Sequence, residues 1–83
     1  MFENLALSET GFLFDARTGS TFSLNRTGTF LLRRMMEGAA SENLPKLLAE
    51  TFEVDEDAAV RDVERFLLRL KDLKVIGSPE DEE

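Results

Sequence analysis

Cysteine, histidine, tryptophan and tyrosine are all missing from the 83 residues. A cysteine nucleophile, a serine–histidine relay, a zinc site built on thiolate or imidazole and a disulfide therefore lack their atoms. The lack of cysteine fits a reducing compartment. Basic charge is also short: ten Lys and Arg stand against seventeen Asp and Glu, a net charge of −7. Four of those negative charges lie on Glu80, Asp81, Glu82 and Glu83, which leaves −3 on the rest. Arg33, Arg34, Arg61, Arg65 and Arg69 are interspersed among carboxylates. No basic face is laid out to displace counterions from phosphates, so neither nucleic acid nor an anionic membrane is the expected partner. The acidic balance leaves room for a peptide with some basic character. No run approaches the roughly 18 apolar residues of a membrane span. The start, Met1-Phe2-Glu3-Asn4-Leu5, lacks the basic region and apolar run of a signal peptide. The expectation is one soluble, cytoplasmic domain with a modest core.

What is present falls into two halves. Leu5-Ala6-Leu7-Ser8 is a short strand candidate, and Gly11-Phe12-Leu13-Phe14 leads into the turn Asp15-Ala16-Arg17-Thr18-Gly19. Ser20 to Leu24 alternates, with Phe22 and Leu24 on one face and Thr21 and Ser23 on the other. Asp15 can accept backbone N–H bonds in the turn and Gly19 can take positive φ, so Phe12 through Leu24 reads as a β-hairpin.

At Asn25 the period changes. Asn25 or Thr27 caps a helix that carries the pairs Leu31/Met35 and Leu32/Met36 beside Phe30 and stops at Gly38. Methionine can form a pliable binding surface, but at this spacing it reads as core. Ser41 or Asn43 caps a second helix with Pro45 near its first turn and the stripe Leu44, Leu47, Leu48, Phe52. Asp55 caps the third and longest helix, with Glu56 and Asp57 near its positive end. Its stripe is Ala59, Val63, Phe66, Leu67, Leu70 and Leu73, with Val60 at one margin, Asp62 and Arg69 at the other, and Leu68 exposed opposite. Val75-Ile76 adds a short extended end, and the domain closes at residue 77, before a disordered acidic tail over 78–83. Strands followed by helices indicate an α+β domain compatible with a winged-helix arrangement.

Catalytic chemistry finds little support. Glu53-x-Asp55-x-Asp57-Ala58 with Glu64 copies the spacing of a calcium loop. Ala58 replaces the glycine of the sharp turn and Arg61 takes a ligand position, so the plainer reading is an acidic helix start. The five glycines are scattered singly, so no loop cradles phosphate, and no carboxylate pair is set apart for acid–base work. The chain reads as a non-enzyme with no metal or cofactor. An interaction surface remains: a small sheet leaves strand edges to which an extended peptide can add.

The series Phe14-Asp15-x-x-Thr18-Gly19-x-x-Phe22-x-Leu24-Asn25-x-Thr27-Gly28, followed by Val54-Asp55-Glu56, Asp62-Val63 and Phe66-Leu67-x-x-Leu70, resembles the PqqD family. These are the recognition elements that bind leader peptides of ribosomally made, post-translationally modified peptides. The similarity spans about residues 5–76. It implies a winged helix-turn-helix, a small three-stranded antiparallel sheet followed by three helices, that takes the leader as an added strand against the third strand and beside the third helix. On this sequence that implies a peptide-binding set of Thr21, Phe22, Ser23 and Leu24 with Val60, Asp62, Val63, Phe66, Leu67 and Arg69. The loop before the first helix looks more like the stand-alone members than those of the PQQ pathway. The implied partners are a precursor peptide and a separate maturation enzyme, such as a radical SAM protein, with the carrier a monomer or weak dimer. The competing reading from the fold class is a winged-helix DNA-binding regulator that uses the third helix, although its face mixes Arg61, Arg65 and Arg69 with Asp62, Glu64 and Asp72.

Overall fold

In the computed structural model, which describes residues 2–73, three strands precede three helices. They are β1 (Leu5–Leu7), β2 (Phe12–Asp15), β3 (Ser20–Ser23), α1 (Arg26–Met36), α2 (Leu44–Phe52) and α3 (Glu56–Asp72), with a 3₁₀ turn over Ser41–Asn43. The sheet is an antiparallel meander in the order β1-β2-β3. This is the expected α+β architecture. The expected Val75-Ile76 end, the boundary at residue 77 and the acidic tail lie outside the described residues. No helix among the described residues is long and apolar enough to cross a membrane.

The β2–β3 turn closes on Asp15. Its carbonyl accepts the N–H of Gly19 at 2.8 Å, and Gly19 sits at φ +77°. Its carboxylate is buried and accepts from the Arg17 N–H (2.9 Å), Nε (3.1 Å) and Nη2 (2.8 Å). Hydrogen bonding from Arg17 holds this carboxyl below the usual carboxylate range, and Asp15 raises the guanidinium in return. Gly11 is required at the other end of β2. At φ +98° a Cβ there would lie 2.5 Å from the Leu24 carbonyl oxygen and 2.9 Å from Thr29 Oγ1.

Asn25, not Thr27, caps α1: its Oδ1 accepts the Gly28 N–H at 2.7 Å. The helix ends in a Schellman closure, with Gly38 at φ +104° and N–H bonds from Gly38 to Met35 and from Ala39 to Arg34, each 3.0 Å. Two expected caps are corrected. Neither Ser41 nor Asn43 caps α2 with its side chain. The 3₁₀ turn runs straight into the helix, so Asn43 already has helical backbone (φ −91°, ψ −10°) and its side chain makes no capping bond. Asp55 occupies the cap position of α3 with extended backbone, but only its carbonyl accepts, from the Ala59 N–H at 2.9 Å; the carboxylate caps nothing.

Adjacent leucines on α1 face different layers. Leu32 joins Leu5, Leu13 and Leu70 between sheet and helices, with Phe22, Leu24 and Met36 packed around them. Leu31 joins Leu44, Leu48, Ala59 and Val63 between the helices. Met35 and Phe66 touch both clusters, so they weld the sheet layer to the helical layer. The methionine pair is thus core, as its spacing indicates. Leu68 is exposed, as expected, and Val60, placed at the margin of the stripe, is exposed too.

Candidate functional site

Backbone parity decides which groups β3 leaves open. The Leu24 N–H donates to the Gly11 carbonyl at 2.8 Å, which makes Gly11–Leu24 a hydrogen-bonded pair of the β2–β3 ladder. Such pairs alternate along an antiparallel ladder, so Phe22 also directs its main-chain groups inward, toward Leu13. Bonds on the other flank of β2 agree: Ser8 N–H to the Phe12 carbonyl at 2.9 Å, and Ala16 N–H to the Asn4 carbonyl at 2.8 Å. The N–H and C=O groups of Thr21 and Ser23 therefore point away from the sheet, and no described strand pairs with them.

The opposite edge is less open. On β1 the outward groups belong to Leu5 and Leu7, and the Leu5 N–H already donates to the Phe2 carbonyl at 3.1 Å.

A groove of about 400 Å³ runs between the end of β3, the first turn of α1 and the side of α3. Ser23 and Leu24 form one wall, and Asp62, Arg65, Phe66 and Arg69 the other; Asn25, Thr27, Gly28 and Leu31 complete it. Gly28 sets its depth. A Cβ there would meet Phe66 Cε1 at 3.1 Å and Asn25 Oδ1 at 3.2 Å, so the missing side chain lets the α3 aromatic ring and the capping amide close in. Asp62, Arg65 and Arg69 are spaced three and four apart and so share one face of α3.

Of the ten residues singled out from the sequence, Ser23, Leu24, Asp62, Phe66 and Arg69 line this groove. Thr21 and Phe22 lie further along β3, with Thr21 exposed on the outer sheet face and Phe22 packed into the sheet-side core. Val63 is buried between the helices and Leu67 packs against that cluster, while Val60 is exposed and off the groove. Sequence reasoning passed over Arg65, Asn25, Thr27, Gly28 and Leu31. Arg65 was within reach, because it completes the Asp62–Arg69 face by helical spacing. The α1 residues were not, because only the tertiary fold brings that turn beside α3. The carboxylates of the calcium-like string are dispersed over the end of α2, the entry to α3 and α3 itself. Among the described residues no group of three metal-ligating side chains converges.

A three-stranded antiparallel sheet followed by three helices, with one strand edge left unpaired by the described residues beside the longest helix, defines a class of small α+β domains. The family model for PqqD, coenzyme PQQ synthesis protein D, matches residues 10–76, and the chain belongs to that family. Among solved structures it is similar to a lasso peptide synthetase B1 complexed with the leader peptide. The two share 28% sequence identity at a TM-score of 0.68, over 82% of this chain and 81% of that chain. No curated protein matches the chain.

Proposed function

We propose that this protein is a peptide carrier without catalytic chemistry of its own. It captures the leader of a ribosomally made precursor by strand addition to β3 and presents it to a separate maturation enzyme. The observation that carries this reading is the outward main chain of Thr21 and Ser23 beside the α3 groove. Main-chain bonds give such an interface its affinity, and pockets for alternate side chains give it selectivity. Membership of the PqqD family and likeness to a lasso peptide synthetase B1 solved with a leader peptide support the same reading. Neither lends support to DNA binding. A carrier of this kind acts by raising the local concentration of substrate at its enzyme. A radical SAM enzyme is one partner class that fits, and the cytoplasm is the compartment in which precursor and enzyme would meet.

The test is amide hydrogen exchange with the leader of the precursor peptide encoded nearest this gene. Thr21 and Ser23 should gain protection on binding, while Phe22 and Leu24, already bonded inward, change little. Protection confined to β1, or absent from β3, would refute strand addition at this edge.

A further inference from the structure

The strand-addition reading leaves open what the guest must look like, and the groove wall speaks to that. We infer that the segment admitted here carries an acidic side chain on the face it turns toward α3, with an apolar side chain two residues away on the same face. The inference rests on the proposed addition at β3 and goes beyond it to the chemistry of the peptide.

Directly opposed residues in a sheet share a face, so guest residues beside Phe22 and Leu24 point inward as those do, and the period of two repeats the choice. Inward guest side chains meet Leu24, Leu31 and Phe66, an apolar floor with the Cβ-less Gly28 beside it. Over that floor stand Arg65 and Arg69 with the single carboxylate of Asp62. The ion pairs formed within residues 2–73 lie elsewhere, at Arg17–Asp15 and Arg34–Glu37; neither Arg65 nor Arg69 is paired with a described residue. Two guanidiniums against one carboxylate give the wall a net positive charge in a chain of net −7. Overall composition leaves room for a basic guest, but at the groove itself a basic side chain would confront both arginines. A carboxylate gains charge-assisted, fork-shaped hydrogen bonds from either of them. Asp62 stands at the other end of this face, so the charge runs from negative to positive along the groove. That gradient favours one direction of the guest over its reverse.

The experiment pans a displayed library of random short peptides at low salt against the full-length protein, its Arg65→Glu/Arg69→Glu variant and its Ser23→Pro variant. All three are checked for fold by circular dichroism. Peptides selected by the parent protein should share an Asp or Glu with an apolar residue at the second position before or after it. Replacing that acid by Lys in the synthetic peptide should weaken binding about tenfold. The charge-reversed variant should prefer Lys or Arg at the same position. An Arg65→Gln/Arg69→Gln variant, the milder change, should lose the preference without inverting it.

Peptides whose binding is lost in Ser23→Pro but which show no acidic position, or whose charge preference survives reversal of both arginines, would overturn the inference and leave strand addition standing. Peptides indifferent to Ser23→Pro would overturn strand addition itself. A library that yields no binder to the parent protein would count against both.

Discussion

Proline placed on alternate residues of β3 separates the binding edge from the folding edge. Ser23 directs its N–H outward, so Ser23→Pro removes a donor that the folded domain does not use internally. Proline is tolerated on edge strands where the missing N–H faces away from the ladder, and its demand for extended backbone at the preceding residue is already met by Phe22 within β3. Stability should fall by about 1 kcal/mol or less, as for surface substitutions that break no packed or bonded contact. A bound guest, by contrast, loses one main-chain bond, worth about 0.5–1.5 kcal/mol net, and its carbonyl is left facing the ring, at about 1–3 kcal/mol if water cannot reach it. At about 1.4 kcal/mol per decade, leader affinity should drop roughly ten- to a hundredfold. Leu24→Pro is the contrasting variant. It deletes the 2.8 Å bond to the Gly11 carbonyl and removes a leucine packed against the sheet-side core, so it should destabilise the fold by about 3 kcal/mol or more. Calorimetric titration with the leader, alongside thermal unfolding by circular dichroism, reads both effects. A Ser23→Pro protein that melts normally and binds with unchanged affinity would remove β3 from the mechanism.

Four further outcomes are expected. Asp15 has a folded-state pKa below its unfolded value, so the stability it contributes is present above the unfolded pKa near 4 and is lost as pH falls through the lower folded value. Asp15→Asn should therefore lower the urea midpoint at neutral pH, and the gap to the parent protein should close in strong acid. Leu32→Ala empties a fully buried position and should cost about 2–5 kcal/mol in urea unfolding, with little change in leader affinity once folded. Gly28→Ala forces the Phe66 ring outward by a few tenths of an ångström; crystallography of the variant should show a shallower groove, and leader titration should show weaker binding. Sedimentation of the peptide-free protein should give a monomer at micromolar concentration.

The helices were largely legible because their apolar stripes and stop residues agree. The change of period at Asn25, Gly38 after Met36 and the Ala59–Leu70 stripe each admit one reading. The hairpin was legible from Asp15 and Gly19. The facing of β2 was less so, because hydropathy alone would bury Phe12 and Phe14 ahead of a carboxylate. Instead Leu13 and Asp15 point inward, while Phe12 is 61% and Phe14 44% exposed. The turn decides this: Asp15 must sit inside it to accept the Arg17 bonds, and the period of two then turns both phenylalanines out. Half of the residues implied by the family resemblance line the groove; periodicity placed their faces, but their selection as a set came from the resemblance. The α1 turn and the division of Leu31 from Leu32 between two core layers depend on how three helices pack, which no local pattern encodes.

An open sheet edge invites a second copy as readily as a guest, and the geometry here discriminates between them. β3 has four residues, too few for a stable ribbon by itself. A second β3 arriving at the edge would bring its own β2 on its far side and its own α3 over its inner face. Both copies of α3 would then compete for the space above the shared edge, and Arg65 and Arg69 of one copy would approach those of the other. A single extended segment carries no helix of its own, so it can pair with Thr21 and Ser23 and fill the groove with its inward side chains. On the other edge Phe2 already occupies the outward N–H of Leu5, one of the groups a guest strand there would use. If β3 takes a guest strand as proposed, the same α3 wall should also disfavour self-pairing, and a peptide-free protein that sediments as a dimer would refute that link.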